Sequence, residues 1–70
     1  MAASNLTKMT VNLVPAADRA LDEAAECAGS SKTDAVNKAL TLYAFFLRMQ
    51  GERYTLYMEK EGKFERVHIL

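Results

Sequence analysis

One strand-like segment, followed directly by helices, constrains the fold more than any other feature. In the segment that begins at Leu6, hydrophobic and polar residues alternate from Lys8 to Leu13, which is typical of a strand with one buried face. The hydrophobic face carries Met9, Val11 and Leu13, and the polar face carries Lys8, Thr10 and Asn12. Pro15 then ends the strand and suits the first turn of a helix. No neighbouring segment of the sequence can complete the strand's backbone hydrogen bonds.

Two helices are predicted after this strand. The first covers residues 15–28, where small hydrophobic residues recur at helical spacing and Gly29 suits the C-terminal stop. Ser31 and Asp34 form an N-terminal capping pattern for the second helix, which we expect over residues 32–49. Its hydrophobic face is wider than one neighbouring helix can cover, and it comprises Ala35, Val36, Ala39, Leu40, Leu42, Tyr43, Phe46 and Leu47.

A β-hairpin is predicted at the C-terminus. Residues 54–59 and 64–70 flank the turn sequence Lys-Glu-Gly-Lys at 60–63. The predicted cross-strand pairs are Leu56 with Val67, Met58 with Glu65 and Tyr54 with Ile69. Since a lone hairpin is only marginally stable in water, we expect its hydrophobic face to pack on the second helix.

The unpaired strand and the wide helix face both need a covering surface. The hairpin would complete the strand within one chain; alternatively, the same strand of a second chain would pair with it about a two-fold axis. The second arrangement also packs the wide helix face on its own copy. A 70-residue chain without disulfides or metal gains stability from such a partner, so the pattern favours a dimer.

Composition argues against several classes of protein. Nine basic and nine acidic residues cancel, which does not indicate a uniformly basic nucleic-acid binder or a polybasic membrane-surface protein. The longest dense hydrophobic run spans residues 42–47, whereas a membrane helix needs about 20 residues. We expect no secretory leader and a cytoplasmic protein. One cysteine and one histidine indicate neither a zinc site nor a disulfide, and no cofactor, nucleophile–base pair or phosphate loop suggests an enzyme.

The order of strand, helix, turn and helix resembles the ribbon-helix-helix family (MetJ/Arc/CopG-like DNA-binding proteins). The matching residues are Lys8-Met-Thr-Val-Asn-Leu13, the hydrophobic helix face Ala17/Leu21/Ala24/Ala28, and Gly29-Ser-Ser-Lys-Thr-Asp34 followed by Ala39-Leu40. The resemblance implies an α+β fold in which two chains intertwine as a homodimer and the paired strands enter the DNA major groove. It covers residues 6–50, which would be the dimerisation and DNA-binding core. The small, polar residues 1–5 predict a flexible N-terminal arm. The C-terminal hairpin extension at 51–70 lies outside the common core of the family, and the resemblance does not explain it.

The resemblance also implies roles for single residues. The base-contacting residues would be Lys8, Thr10 and Asn12, and the phosphate-contacting residues Ser31, Lys32 and Thr33. The dimer core would comprise Met9, Val11, Leu13, Leu21, Val36, Leu40, Tyr43 and Leu47. Lysine can donate to guanine, asparagine can pair with adenine, and a helix N-terminus favours an anion. The competing structural interpretations are a solvated strand face and an ordinary capped helix start.

These observations predict a sequence-specific regulator of transcription, a repressor, that binds double-stranded DNA as a homodimer. Adjacent dimers would bind cooperatively, because one lysine per ribbon strand gives few phosphate contacts. The alternative is an antitoxin or another protein-interaction module, in which residues 51–70 bind a partner protein.

Overall fold

A computed structural model describes residues 6–68 of the chain. The elements in order are α1 (Pro15–Ala28), α2 (Lys32–Gly51), β1 (Leu56–Lys60) and β2 (Lys63–Val67). Two helices followed by an antiparallel hairpin confirm the predicted α+β class. The N-terminal arm predicted at 1–5 lies outside the described residues.

Helix α1 has the bounds that its proline and glycine predict. Pro15 occupies the first turn, and Asp18 adds a carboxylate where the helix dipole favours an anion. At the other end Gly29 adopts a left-handed conformation with φ 64°. Its N–H donates to the Glu26 carbonyl at 3.2 Å, and the Ser30 N–H donates to the Ala25 carbonyl at 3.0 Å. These two bonds form a Schellman motif, which satisfies the last carbonyls of the helix.

Helix α2 begins as predicted and ends two residues later than expected. Gly51, predicted to stop the helix, is its last residue instead. The left-handed position falls on Arg53, with φ 68°. The Arg53 N–H donates to the Gln50 carbonyl at 2.9 Å and the Tyr54 N–H to the Met49 carbonyl at 3.0 Å. A second Schellman motif, built without glycine, therefore directs the chain towards the hairpin.

The hairpin has the register that its turn sequence predicts. Leu56 lies opposite Val67 and Met58 opposite Glu65. Both central turn residues have positive φ, 52° at Glu61 and 81° at Gly62, as a two-residue type I′ turn requires. The predicted partner of Tyr54 at position 69 lies outside the described residues.

The expected packing of the hairpin on α2 is wrong. Within residues 6–68, the elements in contact are β1 with β2 and α1 with α2. Four large side chains of the hairpin region are exposed as a result: Tyr54, Tyr57, Met58 and Phe64. A hydrophobic strand pattern shows that a face tends to be buried, but it does not specify which surface buries it.

Residues 6–14 belong to no helix or strand of the single chain. Residues 6–13 form no backbone hydrogen bond to any described residue. The sheet contains β1 and β2 alone among residues 6–68, so the hairpin does not complete the predicted strand within one chain. Strand structure requires a hydrogen-bonded neighbour, and none lies beside this segment.

Very little of the chain is buried. Among the described residues, Ala25 and Ala35, where α1 meets α2, are the buried ones. The radius of gyration is 15.2 Å, whereas a compact domain of this length has about 11 Å. The accessible surface is 6704 Å², whereas a folded monomer of 7.8 kDa exposes about 4,400 Å². Neither helix in this part of the chain has the length and hydrophobicity needed to cross a membrane.

Candidate nucleic-acid interface

A hydrophobic groove of about 340 Å³ lies between α1 and α2. Alanines from both helices form much of its wall, and small side chains permit close approach of another backbone. Its lining residues are Leu13, Ala17, Ala20, Leu21, Ala24, Ala35, Val36, Ala39 and Leu40. The groove thus brings together four residues of the predicted dimer core, namely Leu13, Leu21, Val36 and Leu40.

The other four predicted core residues do not line this groove. They are Met9, Val11, Tyr43 and Leu47, and each is exposed in the single chain. Met9 is 77% exposed and Leu40, at the groove itself, is 61% exposed. Burying such a side chain stabilises a protein by roughly 1.5–3 kcal/mol, so this set is a large unused source of stability.

The three predicted base-contacting residues are all accessible. Lys8, Thr10 and Asn12 lie in the segment that has no secondary structure, and each is exposed. None of their side chains bonds to another described residue. Their donors and acceptors are therefore available to an external partner.

The N-terminus of α2 combines a side-chain cap with unused backbone donors. The Ser31 Oγ accepts a hydrogen bond from the Asp34 N–H at 3.0 Å, which confirms the predicted cap. The N–H groups of Lys32 and Thr33 find no acceptor among residues 6–68. These donors lie at the positive end of the helix dipole, where an anion is favoured.

Lys32 already has an anionic partner within the chain. Its Nζ lies 2.9 Å from the Asp22 Oδ1 on α1, in an ion pair whose two side chains are both largely exposed. The hydrogen bond that Lys32 donates to the Asp22 carboxylate, followed by the attraction of that charge, raises the pKa of Lys32 above its ordinary value. Lys32 is protonated at neutral pH, as an unpaired lysine would be, and the favourable interaction is lost only as the pH rises through the raised pKa.

Asp22 is the residue of this region that the sequence does not identify. By sequence it belongs to the acidic, solvated face of α1, ten positions before Lys32. Only the crossing of the two helices brings the two side chains together. A second ion pair, Asp34 Oδ2 to Lys38 Nζ at 3.2 Å, lies one turn further along α2 and follows the ordinary i,i+4 spacing.

The chemistry available here is recognition by hydrogen bonds and charge. Within residues 6–68, no three His, Cys, Asp or Glu side chains group in a way that could hold a metal ion. The exposed polar residues of 8–12 and the free N–H groups of α2 are donors and acceptors for a polar, anionic partner. Comparisons of this chain with protein-family models, with curated proteins and with solved structures give no match.

Proposed function

We propose that the chain is a sequence-specific DNA-binding regulator, a transcriptional repressor, that acts as an intertwined ribbon-helix-helix homodimer. Residues 6–14 of two chains pair antiparallel and form a two-stranded ribbon. Met9, Val11 and Leu13 face the helices of the dimer, and the residues alternating with them face the DNA. A two-stranded ribbon has the width that the major groove of B-DNA admits.

One observation carries the proposal above all others. Residues 6–13, which have a strand pattern, form no backbone hydrogen bond to any described residue, and Leu13, the last residue of their hydrophobic face, lines an open groove between the helices. The single chain exposes about 2,300 Å² more surface than a folded monomer of its mass. That excess is of the size that an obligate dimer interface removes from each partner. A second copy placed in the groove supplies both the missing ladder and the missing core.

The exposed residues of the ribbon suit base recognition. Asn12 can pair bidentately with adenine, Lys8 can donate to guanine, and Thr10 can contact the methyl group of thymine. The free N–H groups of Lys32 and Thr33 suit a phosphate, which positions the protein on the duplex without reading sequence. The proposed interface thus separates base recognition, in the ribbon, from backbone contacts, at α2.

The low charge of the chain limits the affinity of one dimer. The net charge is zero, and each chain offers Lys8 and Lys32 to the proposed interface. Few phosphates are neutralised, so few counterions are released on binding. We therefore expect modest affinity for a single site and stronger binding where adjacent sites recruit several dimers.

The decisive experiment is selection of bound duplexes from random DNA, performed at two salt concentrations. A sequence-specific dimer enriches a short site with two-fold or direct-repeat symmetry at both concentrations. The absence of any enriched site at the lower concentration would rule out sequence-specific binding.

Replacing Asn12 with alanine tests the ribbon directly. Asn12→Ala should weaken binding to the selected site by roughly 1–3 kcal/mol for each lost base pairing. Its affinity for unrelated DNA, measured in the same titration, should stay unchanged, because phosphate contacts are intact. Equal affinity of variant and wild type for the selected site would remove Asn12 from the interface.

A partner-binding module remains a second candidate, and one observation favours it. The hairpin is formed but packs on neither helix, and it exposes two tyrosines, a methionine and a phenylalanine. Such a surface suits a protein partner. Stoichiometric binding of a co-encoded protein, lost in Tyr57→Ala and retained in Asn12→Ala, is the result that this candidate expects.

A further inference from the structure

The outer edge of β2 is an unpaired strand edge that carries an exposed aromatic residue. The sheet formed by residues 56–67 has two strands, so β2 pairs with β1 on one side and with no described residue on the other. Phe64, the second residue of β2, is 67% exposed. Tyr57, on the same face of the hairpin, is exposed as well. A two-stranded sheet is only marginally stable in water, whereas a sheet of three or more strands with a hydrophobic face can be stable on its own.

The turn determines which backbone groups point outward along this edge. In a two-residue hairpin, the residues flanking the turn, here Lys60 and Lys63, form a hydrogen-bonded pair. Hydrogen-bonded and non-hydrogen-bonded pairs then alternate along the antiparallel ladder. Phe64, opposite Glu59, is therefore in a non-hydrogen-bonded pair, and its N–H and C=O point away from β1. They are available to another strand.

We propose that β2 pairs antiparallel with β2 of a second copy of this chain, about a two-fold axis at Phe64. The N–H and C=O of Phe64 exchange hydrogen bonds with those of the partner's Phe64. In this register Lys63 lies opposite the partner's Glu65, and Glu65 lies opposite the partner's Lys63. The two hairpins then form one four-stranded sheet, in the order β1-β2-β2-β1, and both Phe64 rings lie on one face beside Tyr57.

Charge complementarity selects this register among the symmetric alternatives centred on residues 63–66. An axis at Lys63, Glu65 or Arg66 would place two identical charges directly opposite each other, which is destabilising. An axis at Phe64 places an aromatic pair at the centre and an oppositely charged pair on each side, both of which stabilise a sheet.

The outer edge of β1 is less suited to this pairing because it lies next to α2. The Tyr54 N–H still donates to the Met49 carbonyl of the helix, two residues before β1 begins. A partner strand centred on Tyr57 would bring its own turn to the end of that helix. Pairing at Phe64 instead occurs near the tip of the hairpin, with the helices of the two copies on opposite sides.

This contact is separate from the ribbon and groove of the proposed dimer. Each ribbon-paired dimer would carry two hairpins, so pairing at β2 joins one dimer to another. The second copy recognised here is thus a copy in a neighbouring dimer, and the contact makes assembly proceed beyond two chains.

Reversal of one charge on β2 is the sharpest test. In Lys63→Glu, each of the two oppositely charged pairs becomes a pair of glutamates, which should weaken the association roughly tenfold or more. The same change replaces a like-charge cross-strand pair of the hairpin by an oppositely charged one, because Lys63 lies opposite Lys60 within the chain. Sedimentation equilibrium should give the variant no more than half the mass of the wild type.

Two further variants complete the test. The double variant Lys63→Glu/Glu65→Lys restores opposite charges in the proposed register and should recover the wild-type mass. Lys60→Glu is the matched control, since it makes the same change in net charge and removes the same intrachain repulsion, but lies on β1. It should sediment as the wild type does.

The masses decide the proposal whether or not the chain binds DNA. A wild type with the same mass as Lys63→Glu overturns it, as does a double variant that stays at the lower mass. A loss of mass in Lys60→Glu equal to that in Lys63→Glu would also overturn it, because the effect would then come from net charge. A lower mass in Lys63→Glu alone, recovered in the double variant, supports it.

Discussion

In the proposed complex, two anions compete for the Lys32 ammonium group: the Asp22 carboxylate of its own chain and a DNA phosphate. The ion pair at 2.9 Å is exposed, and such pairs contribute little to stability. It nevertheless occupies the ammonium group of Lys32, which belongs to the helix N-terminus whose free N–H groups suit a phosphate. Asp22 should therefore weaken DNA binding while hardly affecting the fold.

Substitutions of this pair separate the two effects. Asp22→Asn should raise the affinity for any DNA sequence and make its salt dependence steeper, because Lys32 is then released to neutralise a phosphate. Lys32→Ala should lower affinity uniformly and reduce the salt slope by about one unit per lost phosphate contact. Binding titrations over a salt series measure both.

The control for this prediction is the double variant. If Asp22 acts through Lys32, then Asp22→Asn should have a much smaller effect on affinity when Lys32 is already alanine. An equal effect in both backgrounds would mean that Asp22 repels the DNA directly.

Ser31 has a structural role that can be tested apart from its proposed contact with DNA. Its hydroxyl caps α2 by accepting from the Asp34 N–H, so Ser31→Ala should cost about 0.5–2 kcal/mol in unfolding free energy. Ser31→Asp keeps a good cap but adds a negative charge. It should unfold like the wild type in denaturant and bind DNA less well; unchanged DNA binding would place Ser31 outside the interface.

At the scale of single elements, the ends of the helices are fixed by a few backbone positions. Gly29 and Gly51 provide a matched pair, because a Cβ added at either would meet no atom within 4 Å. Their backbones differ: Gly29 is left-handed, with φ 64°, whereas Gly51 is the last residue of α2. Any difference between alanine substitutions at the two sites therefore reports backbone conformation alone.

Gly29→Ala should destabilise the chain by about 1 kcal/mol, because an L-residue is strained in the left-handed region. Gly51→Ala should be neutral or stabilising by up to about 1 kcal/mol, because alanine favours a helical backbone. Urea unfolding of the two variants measures both values. A loss of stability at Gly51 similar to that at Gly29 would contradict this explanation.

The sequence predicts the local structure of each element much better than it predicts the contacts between elements. Pro15, Gly29 and the Ser31 cap predict the bounds of α1 and the start of α2, because each acts through its own backbone or its nearest turn. Glu61-Gly62 predicts the hairpin register for the same reason. The predicted end of α2 is wrong because Arg53 adopts a left-handed conformation, for which glycine is the usual residue.

Packing between elements could not be predicted in the same way. The hydrophobic face of the hairpin does not rest on α2, and the Asp22–Lys32 pair depends on how two helices cross. Periodicity gives the direction of a side chain relative to its own element but says nothing of the neighbour it meets. The proposed ribbon depends on a second copy, and the single chain cannot display that pairing.

At the scale of the whole molecule, the described part of the chain is a set of formed elements whose buried core is limited to Ala25 and Ala35. Leu40 lines the groove between the helices and is 61% exposed in one chain. In the proposed dimer it is buried, so the two states respond differently to a charge at this position.

Leu40→Asp should prevent dimerisation and unfold the chain, because burying an unpaired carboxylate costs more than the contact supplies. Circular dichroism and sedimentation measure the two effects. Leu40→Met is the conservative control and should cost less than about 1.5 kcal/mol, because it nearly preserves the volume. A folded, monomeric Leu40→Asp variant would contradict the proposed core.

The backbone of residues 6–13, which bonds to no described residue, also bears on the lifetime of the protein. An exposed stretch without helix or strand structure is the form of chain that proteases cleave most readily. In the proposed dimer the same stretch is protected as a ribbon, so a newly made copy survives only if it meets another. When the rate of synthesis of such a regulator decreases, its cellular amount would then decrease more than in proportion. Repression would therefore require a threshold rate of synthesis.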